Sequence, residues 1–319
     1  MKTTSAVVIG GLAAVTITLG LLSAESLQGI IPKKPFDQEK LTGGAKTRSN
    51  LITYHGGTVM TGAPVNVYVI YYGNTFLSST PTILNTFFAD LSTSPQFGVN
   101  STYFDASNAT IAPSFHFSPK VYNASSVPDG SLYLDSNYSQ GTHIGSKDVP
   151  NIIQHAIQVN GLPADQDGVY FVLTAPDVAV SGFCTSFCAY HTTSTSIVAG
   201  LHIRYALVPD PAQRCTGCDG NFAVFGQTTT PNGDQGADEM TDSIIHELSE
   251  TVTDPDLKAW YTSSGAENGD LCNYNYGPGP YFTSNGASAN VELNKHYYLI
   301  QEIWGNVAQA CLAQLPKGK

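Results

Sequence analysis

Basic residues are scarce over most of this 319-residue chain. Five of its 14 lysines and arginines lie between residues 33 and 48. From residue 49 to residue 316, six basic residues stand against 22 acidic ones, a net formal charge of −16. A surface of that charge repels the phosphate backbone of nucleic acids, which argues against a nucleic-acid partner. The same excess leaves carboxylates available for cations.

Several enzyme motifs are also missing. The chain has no Gly-x-Ser-x-Gly sequence, so the nucleophile arrangement of many serine hydrolases lacks support. A phosphate-binding Gly-x-x-x-x-Gly-Lys loop is absent too, as are internal repeats and coiled-coil heptads. The hydrophobic fraction of 42% is nevertheless that of a folded globular protein.

The N-terminus has the pattern of an export signal. Residues 1–24 combine Lys2, an apolar stretch over Ala6–Leu22 and a small residue, Ala24, at the exit. An uncleaved membrane anchor is the alternative, but 17 residues are few for spanning a bilayer, and three of them are glycines. We therefore expect cleavage near Ala24 and no membrane association afterwards.

The domain organisation follows from this signal. Residues 25–50 are rich in charge, proline and glycine and are predicted to be a linker or pro-segment. Residues 51–319 are predicted to form a single domain. The sequence thus predicts a secreted protein.

The six cysteines are expected to form three disulfides, because an even number follows an export signal. Many pairings are possible, and the sequence does not choose among them. The simplest expectation joins neighbours along the chain, as Cys184–Cys188, Cys215–Cys218 and Cys272–Cys311. The alternative is a zinc ion held by the first four cysteines, which an oxidising compartment disfavours.

Hydrophobic patterns predict alternating strands and helices. Strands are expected at Val65–Tyr72 and Val169–Leu173, one or two within Ile197–Val208, and one at Tyr297–Trp304. Helices are expected at Thr82–Leu91, Val149–Val159 and Asp238–Val252. This order predicts a mixed sheet flanked by helices, an α/β (α+β) fold in one domain with disulfides.

The stretch from residue 93 to residue 146 is rich in Ser, Asn and Tyr. It contains four Asn-x-Ser/Thr sequences, at Asn100, Asn108, Asn123 and Asn137. Such a cluster predicts exposed loops and hairpins and, in a glycosylating host, a glycoprotein.

The segment most informative about function is the predicted helix that runs into Asp254-Pro255. Its apolar residues recur at spacings of three and four and define one buried face: Ile244, Ile245, Leu248 and Val252. A residue before proline avoids helical torsions, so the helix is predicted to end near Thr253.

On this helix His246 and Glu250 are four residues apart and can share an ion. With Glu247 between them they match the His-Glu-x-x-His helix of zinc proteases, except that the second ligand is a carboxylate. Zinc, manganese or another divalent metal accepts such a ligand. Glu247 is then the candidate catalytic base, which takes a proton from a metal-bound water.

A third metal ligand is expected beyond the helix. The candidates are Asp254, Asp256, Glu267 and Asp270. Glutamate-zinc peptidases place this ligand about 20 residues after the second helix ligand, which favours Asp270 and then Glu267. Nothing in the sequence places other residues in a cleft, although four are candidates: His191, His202, Trp260 and Tyr261.

A simpler interpretation of the helix remains open. His246 and Glu250 also fit an ordinary ion pair on a helix surface. Together with Asp242 they would then form the polar stripe of an amphipathic helix, with no metal at all.

Several ordered motifs resemble the EXORDIUM, or phosphate-induced, protein family of plants. They are Tyr54–Gly62, Val65–Gly73, Cys184-x-x-x-Cys188-x-x-His191, His246–Glu250, Thr253–Pro255, Ala259–Tyr261, Asp270–Cys272 and Tyr298–Trp304. The resemblance runs from about Leu51 to Cys311, nearly the whole mature chain. In the family's pattern, the His-Glu-x-x-Glu segment is carried here by His246, Glu247 and Glu250, and the later acidic pair by Glu267 and Asp270.

The resemblance implies an extracellular or cell-wall protein. Plant members are linked to brassinosteroid-promoted cell expansion and to growth under carbon limitation, and the family supplies no established enzyme activity. Two features depart from its pattern: the tight spacing of Cys215 and Cys218, and the divergent stretch from residue 100 to residue 146.

Two functions follow from the sequence. The first is a secreted metal-dependent hydrolase of this family, with zinc or another divalent metal as its cofactor and a peptide or cell-wall component as its substrate. Its strand–helix–strand order resembles a zincin-like arrangement, an analogy at the level of the fold. The second is a non-enzymatic signalling or wall-binding protein involved in growth regulation, in which the same residues are structural. A closed, solvent-free cluster would favour the structural role.

Overall fold

The computed structural model describes residues 51–212, 215–278 and 280–316. The predicted signal and linker lie outside these residues. The described chain is organised around a central sheet of five strands: β1 Asn66–Tyr72, β2 Leu132–Asp135, β3 Gly168–Thr174, β4 Tyr190–Ser194 and β5 Ile203–Pro209. Within the described part of the chain, no helix has the length and apolar character needed to cross a bilayer.

The central sheet is mixed, with strand order β2-β1-β3-β5-β4. The first four strands in this order are parallel, and β4 pairs antiparallel with β5 at the edge. Strands β1 and β3 lie in the middle, and every residue in them except Asn66 is buried. Parallel strands covered on both faces need continuous hydrophobic runs, which is why the sequence predicted these two strands correctly.

Helices cover both faces of the sheet. Four α-helices are present in the described residues: α1 Thr80–Leu91, α2 Asp148–Asn160, α3 Gly220–Phe225 and α4 Gln235–Thr253. Alternate residues of β1 belong to different cores, with Val69 on the side of α1 and α4 and Ile70 on the side of α2. The predicted mixed sheet flanked by helices, in one domain, is therefore confirmed.

Asp234 explains why α4 begins three residues earlier than predicted. Its carboxylate accepts a hydrogen bond from the Ala237 amide at 3.2 Å and so caps the helix. The same carboxylate accepts from the hydroxyls of Ser79 (2.6 Å) and Thr80 (2.7 Å), where α1 begins. One side chain thus joins the starts of the two helices on this face.

Short two-stranded ribbons surround the central sheet. They pair Thr53–Tyr54 with Trp260–Tyr261, His143–Ile144 with Ala179–Val180, Tyr281–Phe282 with Ser288–Ala289, Val291–Leu293 with His296–Tyr298, and Ile303–Gly305 with Ala310–Leu312. The predicted single strand Tyr297–Trp304 is therefore wrong. It is divided between two ribbons, and the intervening Gln301 is buried against α4.

The disulfides confirm one expected pair and correct two. The bonds are Cys184–Cys215, Cys188–Cys218 and Cys272–Cys311. The predicted local pairs Cys184–Cys188 and Cys215–Cys218 are wrong, because the two cysteine-bearing turns lie against each other and each cysteine bonds across to the other turn. All six sulfurs are consumed, so the zinc site of four cysteines is excluded as well.

The stretch from residue 93 to residue 146 is less loop-like than predicted. Its strand β2 joins the central sheet in parallel with β1 and is not part of a hairpin. Asn100 is fully buried and donates a hydrogen bond to the Ser249 hydroxyl at 3.1 Å, so the folded protein cannot carry a glycan there. Asn108, Asn123 and Asn137 are exposed, and their glycosylation stays a prediction.

Candidate metal centre

Helix α4 is buried on all sides. Every residue after Gln235 is buried, including His246 and all the acidic residues of the helix. The interpretation of His246 and Glu250 as a pair on a helix surface is therefore wrong. Buried charges are costly unless they are paired or bind a metal, so the polar stripe of α4 requires a specific explanation.

Three segments bring polar side chains to this stripe. Strand β4 supplies His191, which lies opposite Ala206 of β5 and faces the core shared with α4. The loop after Trp260–Tyr261 supplies Glu267 and Asp270. Gln301 arrives from the connection between two C-terminal ribbons.

Glu250 lies between two histidines. Its Oε1 is 3.0 Å from His246 Nε2, and its Oε2 is 3.5 Å from His191 Nε2. His191 Nε2 is also 3.0 Å from Glu267 Oε2. All four side chains are buried, with no more than 1% of any of them exposed.

Several of these polar atoms make no hydrogen bond. His246 Nε2 and Glu250 Oε1 are close, yet their orientation does not make a hydrogen bond. Glu250 Oε2 and Glu267 Oε1 also lack a hydrogen-bond partner. Ligand atoms of His246, Glu247 and Glu250 lie within 4.8 Å of one another, close enough that they could hold one metal ion.

Protons balance the charge of the centre when it holds no metal. No lysine or arginine within residues 51–212, 215–278 and 280–316 forms an ion pair with Glu250, Glu267 or Asp270. Burial raises the pKa of Glu267 well above its ordinary value and lowers the pKa of His191 to about 4. For His246 burial also opposes the charged form, but the neighbouring carboxylates, Glu250 foremost, raise its pKa well above the usual range. Without a metal, the centre is thus balanced by protons.

Gln301 sets the orientation of the His246 ring. Its Nε2 donates to the Gly269 carbonyl at 2.9 Å, so its Oε1, 3.0 Å from His246 Nδ1, is left to accept a hydrogen bond from that nitrogen. The proton of a neutral His246 therefore lies on Nδ1, and the lone pair lies on Nε2, toward Glu250. This is how a metal-binding histidine is usually oriented by its surroundings.

Gly269 packs directly against Glu250 and His246. A Cβ atom at this position would lie 2.9 Å from both Glu250 Oε1 and His246 Cγ, so only glycine fits here without a shift of these side chains. The next residue, Asp270, donates its backbone amide to Glu250 Oε1 at 3.0 Å. The loop is therefore packed directly onto two of the predicted ligands.

The structure brings together most of the residues proposed from the sequence. His246, Glu250 and Glu267 converge, and Asp270 Oδ1 is 3.7 Å from His246 Nε2, with 22% of its side chain exposed. Glu247 is fully buried and can present an oxygen within 4.8 Å of ligand atoms of His246 and Glu250. Metal binding and catalysis by these residues stay predictions.

Two of the acidic candidates lie elsewhere. The Asp254 carboxylate accepts hydrogen bonds from the amides of Lys258 and Ala259, just after α4. Asp256 forms an ion pair with Arg204. The Asp254 carboxylate therefore stabilises the turn after α4, and the Asp256 carboxylate pairs with a residue of strand β5.

His191 is the residue that sequence reasoning failed to place. It lies on an edge strand whose other residues are mostly polar, so no hydrophobic pattern marks the strand. The one available signal was the Cys188-x-x-His191 spacing within the family resemblance. Two other residues had been considered for a cleft. The His202 side chain is 55% exposed, and the Trp260 indole donates a hydrogen bond to the Phe104 carbonyl.

The fold and the site define a single-domain mixed α/β protein with three disulfides and a buried centre of histidines and carboxylates. The family described as "Phosphate-induced protein 1 conserved region" matches residues 52–314. The chain therefore belongs to the phosphate-induced protein 1 family, which confirms the resemblance found in its motifs.

Relatives of similar length support this assignment. Protein EXORDIUM-like 3 of Arabidopsis thaliana is 30% identical, over 92% of this chain and 94% of the relative. Protein EXORDIUM-like 5 of the same plant is 29% identical, over 91% and 86%. Protein PHOSPHATE-INDUCED 1 of Nicotiana tabacum is 28% identical, over 86% and 92%. No solved structure matches the chain significantly, so the zincin-like arrangement stays a prediction.

Proposed function

We propose that this chain is an exported, extracellular protein whose α4 centre binds divalent metal. The observation that carries the proposal is the convergence of His191, His246, Glu250 and Glu267, all of them buried. His191 Nε2 hydrogen-bonds with Glu267 Oε2, but His246 Nε2, Glu250 Oε2 and Glu267 Oε1 have no hydrogen-bond partner. The apolar N-terminal segment, the three disulfides and the family membership support export.

The donor set suits zinc or manganese. Imidazole nitrogen and carboxylate oxygen are ligands that both ions accept, and zinc binds them at about 2.0–2.2 Å. The hydrogen bond from His246 to Gln301 directs the His246 lone pair into the centre. A bound cation would also offset the buried negative charge of Glu250 and Glu267, which lacks a lysine or arginine partner among the described residues.

Elemental analysis of the secreted protein tests the proposal. We expect the wild-type chain, purified with its disulfides intact, to retain divalent metal, and Glu250→Ala to retain none, because this carboxylate contacts both histidines. Glu292→Ala removes an exposed carboxylate from a surface ribbon and should leave the metal content unchanged. A wild-type protein without metal, or a Glu250→Ala protein that still binds it, would contradict the proposal.

Hydrolysis of a peptide or cell-wall substrate is the second candidate function. Glu247 favours it, because its carboxylate lies within reach of the His246–Glu250 pair, where it could take a proton from water. A bound divalent ion supplies an activated water by lowering its pKa. Access is the obstacle, since His246, Glu247 and Glu250 are fully buried, and the neighbouring Asp270 has 22% of its side chain exposed. The closed centre therefore supports metal binding more directly than catalysis.

A single substitution separates the two roles. If the protein is a hydrolase, Glu247→Gln should keep the metal and lower peptide cleavage by at least a hundredfold, because loss of a general base typically costs about 10²–10⁴ in rate. Cleavage assays and metal analysis on the same preparation measure both effects. Equal cleavage by wild type and variant would remove Glu247 from the mechanism. Absence of cleavage by a metal-loaded wild type would favour the signalling or wall-binding role.

A further inference from the structure

We infer that the centre has two cation positions, one on each side of Glu250, so that this carboxylate bridges two divalent ions. The inference rests on the proposed metal binding and adds the number and arrangement of the ions. It follows from how the two oxygens of Glu250 are divided between the two histidines.

The first position lies between β4 and the loop after α4. His191, Glu250 and Glu267 each offer one atom here, and these atoms all lie within 4.8 Å of one another. Glu250 contributes the oxygen on the side of His191, Oε2, which has no hydrogen-bond partner. Glu267 Oε1 is likewise buried without a partner, so the set has coordination capacity that no protein group uses.

The second position lies on the other side of Glu250, along α4. His246 and Glu250 supply ligand atoms here, and Glu247, the candidate base, has an oxygen within 4.8 Å of them. Here Glu250 contributes Oε1, 3.0 Å from the unpartnered His246 Nε2. Asp270 Oδ1, 3.7 Å from the same nitrogen, extends this set toward the surface.

A single ion does not satisfy both sets. The sets share Glu250 alone, and the two oxygens of its carboxylate face different imidazoles. An ion at either position therefore leaves the ligand atoms of the other set without a cation. A carboxylate that uses one oxygen for each of two ions is compatible with the spacing of about 3.5–4 Å found in two-metal sites.

The charge of the centre also favours two cations. Glu250, Glu267 and Asp270 carry three negative charges when ionised, and no lysine or arginine in the described chain is paired with them. One divalent ion leaves this group negative in a buried environment. Two ions exceed these three charges by one, which the neighbouring Glu247 carboxylate balances, with the two imidazoles bound as neutral ligands.

Metal stoichiometry tests the inference. The full chain is saturated with Zn²⁺, dialysed, and analysed for metal per chain. We expect two ions in the wild type and one in each of His191→Ala and His246→Ala, because each substitution removes a ligand from one set only. His202→Ala, a substitution of a half-exposed histidine outside the centre, should retain two. Near-ultraviolet circular dichroism shows whether each variant is folded.

X-ray absorption of the zinc-loaded wild type gives a measurement that needs no variant. Two bridged ions should produce metal–metal scattering at about 3.5–4 Å. One ion per chain in the wild type, with none in either histidine variant and no metal–metal scattering, would overturn the two-position arrangement but leave the metal centre standing. A wild type that binds no metal would instead overturn the proposed function itself.

Discussion

Removal of the bound metal by a chelator is expected to lower the thermal unfolding temperature by about 10 °C. A ligand that binds only the folded state at a thousand times its Kd stabilises that state by about 4 kcal/mol. For a domain of this size, 1 kcal/mol corresponds to about 2–4 °C. The effect should be large because the proposed ligands come from β4, from α4 and from the loop after α4, so a bound ion would join three parts of the chain.

The controls for chelation use two carboxylates of different burial. Glu292→Ala should lose as many degrees as the wild type when the chelator is added, because its side chain lies on an exposed ribbon. Glu250→Ala should unfold at the same temperature with and without chelator. Differential scanning calorimetry without reductant measures both, and an unchanged wild-type transition would show that no metal stabilises the fold.

Substitution of Gly269 by alanine is expected to cost about 1–3 kcal/mol of stability and to remove most of the bound metal. The added Cβ would lie 2.9 Å from Glu250 Oε1 and from the ring of His246, and both side chains are fully buried. Overpacking a well-packed interior typically costs this much. Here the displaced groups are also the proposed ligands, so metal content should fall together with the free energy of unfolding.

Gly98 provides the matched comparison for Gly269. It is also buried, but the nearest atom to a Cβ added there belongs to the Leu315 side chain, at an ordinary 3.7 Å. Gly98→Ala should therefore change stability by less than about 0.5 kcal/mol and leave the metal in place. Denaturant unfolding measures the stability of both variants, and elemental analysis measures their metal content. Equal behaviour of the two would show that the loop does not press on the centre.

The central layers of the fold could be predicted from the sequence because their patterns are strong. Strands β1 and β3 are continuous hydrophobic runs, and α1 and α2 repeat apolar residues at helical spacing. In α4 the four apolar positions were enough to predict the helix. They did not show that the opposite, polar side of α4 is buried as well, because periodicity records the contrast between two faces and not what covers the polar one.

The wrong or missing predictions concern segments whose structure depends on contacts with residues distant in the sequence. Strand β4 has the sequence Tyr-His-Thr-Thr-Ser, which lacks the alternation of a typical strand and is held in place by pairing with β5. The stretch Tyr297–Trp304 has strand-like composition, but Gln301 leaves the extended conformation to reach His246 and Gly269. The disulfides that join the turns around residues 184–188 and 215–218 depend on the same kind of distant contact.

The order of the chain has a consequence for biosynthesis. Glu267, Gly269 and Gln301 cover the polar side of α4, and all of them follow this helix in the sequence. A ribosome therefore releases the acidic helix well before the residues that enclose it, and nearly the whole polypeptide must be translated before the pocket around Glu250 exists. If the centre binds metal as proposed, cation loading belongs to the last stage of maturation, together with closure of the Cys272–Cys311 bond.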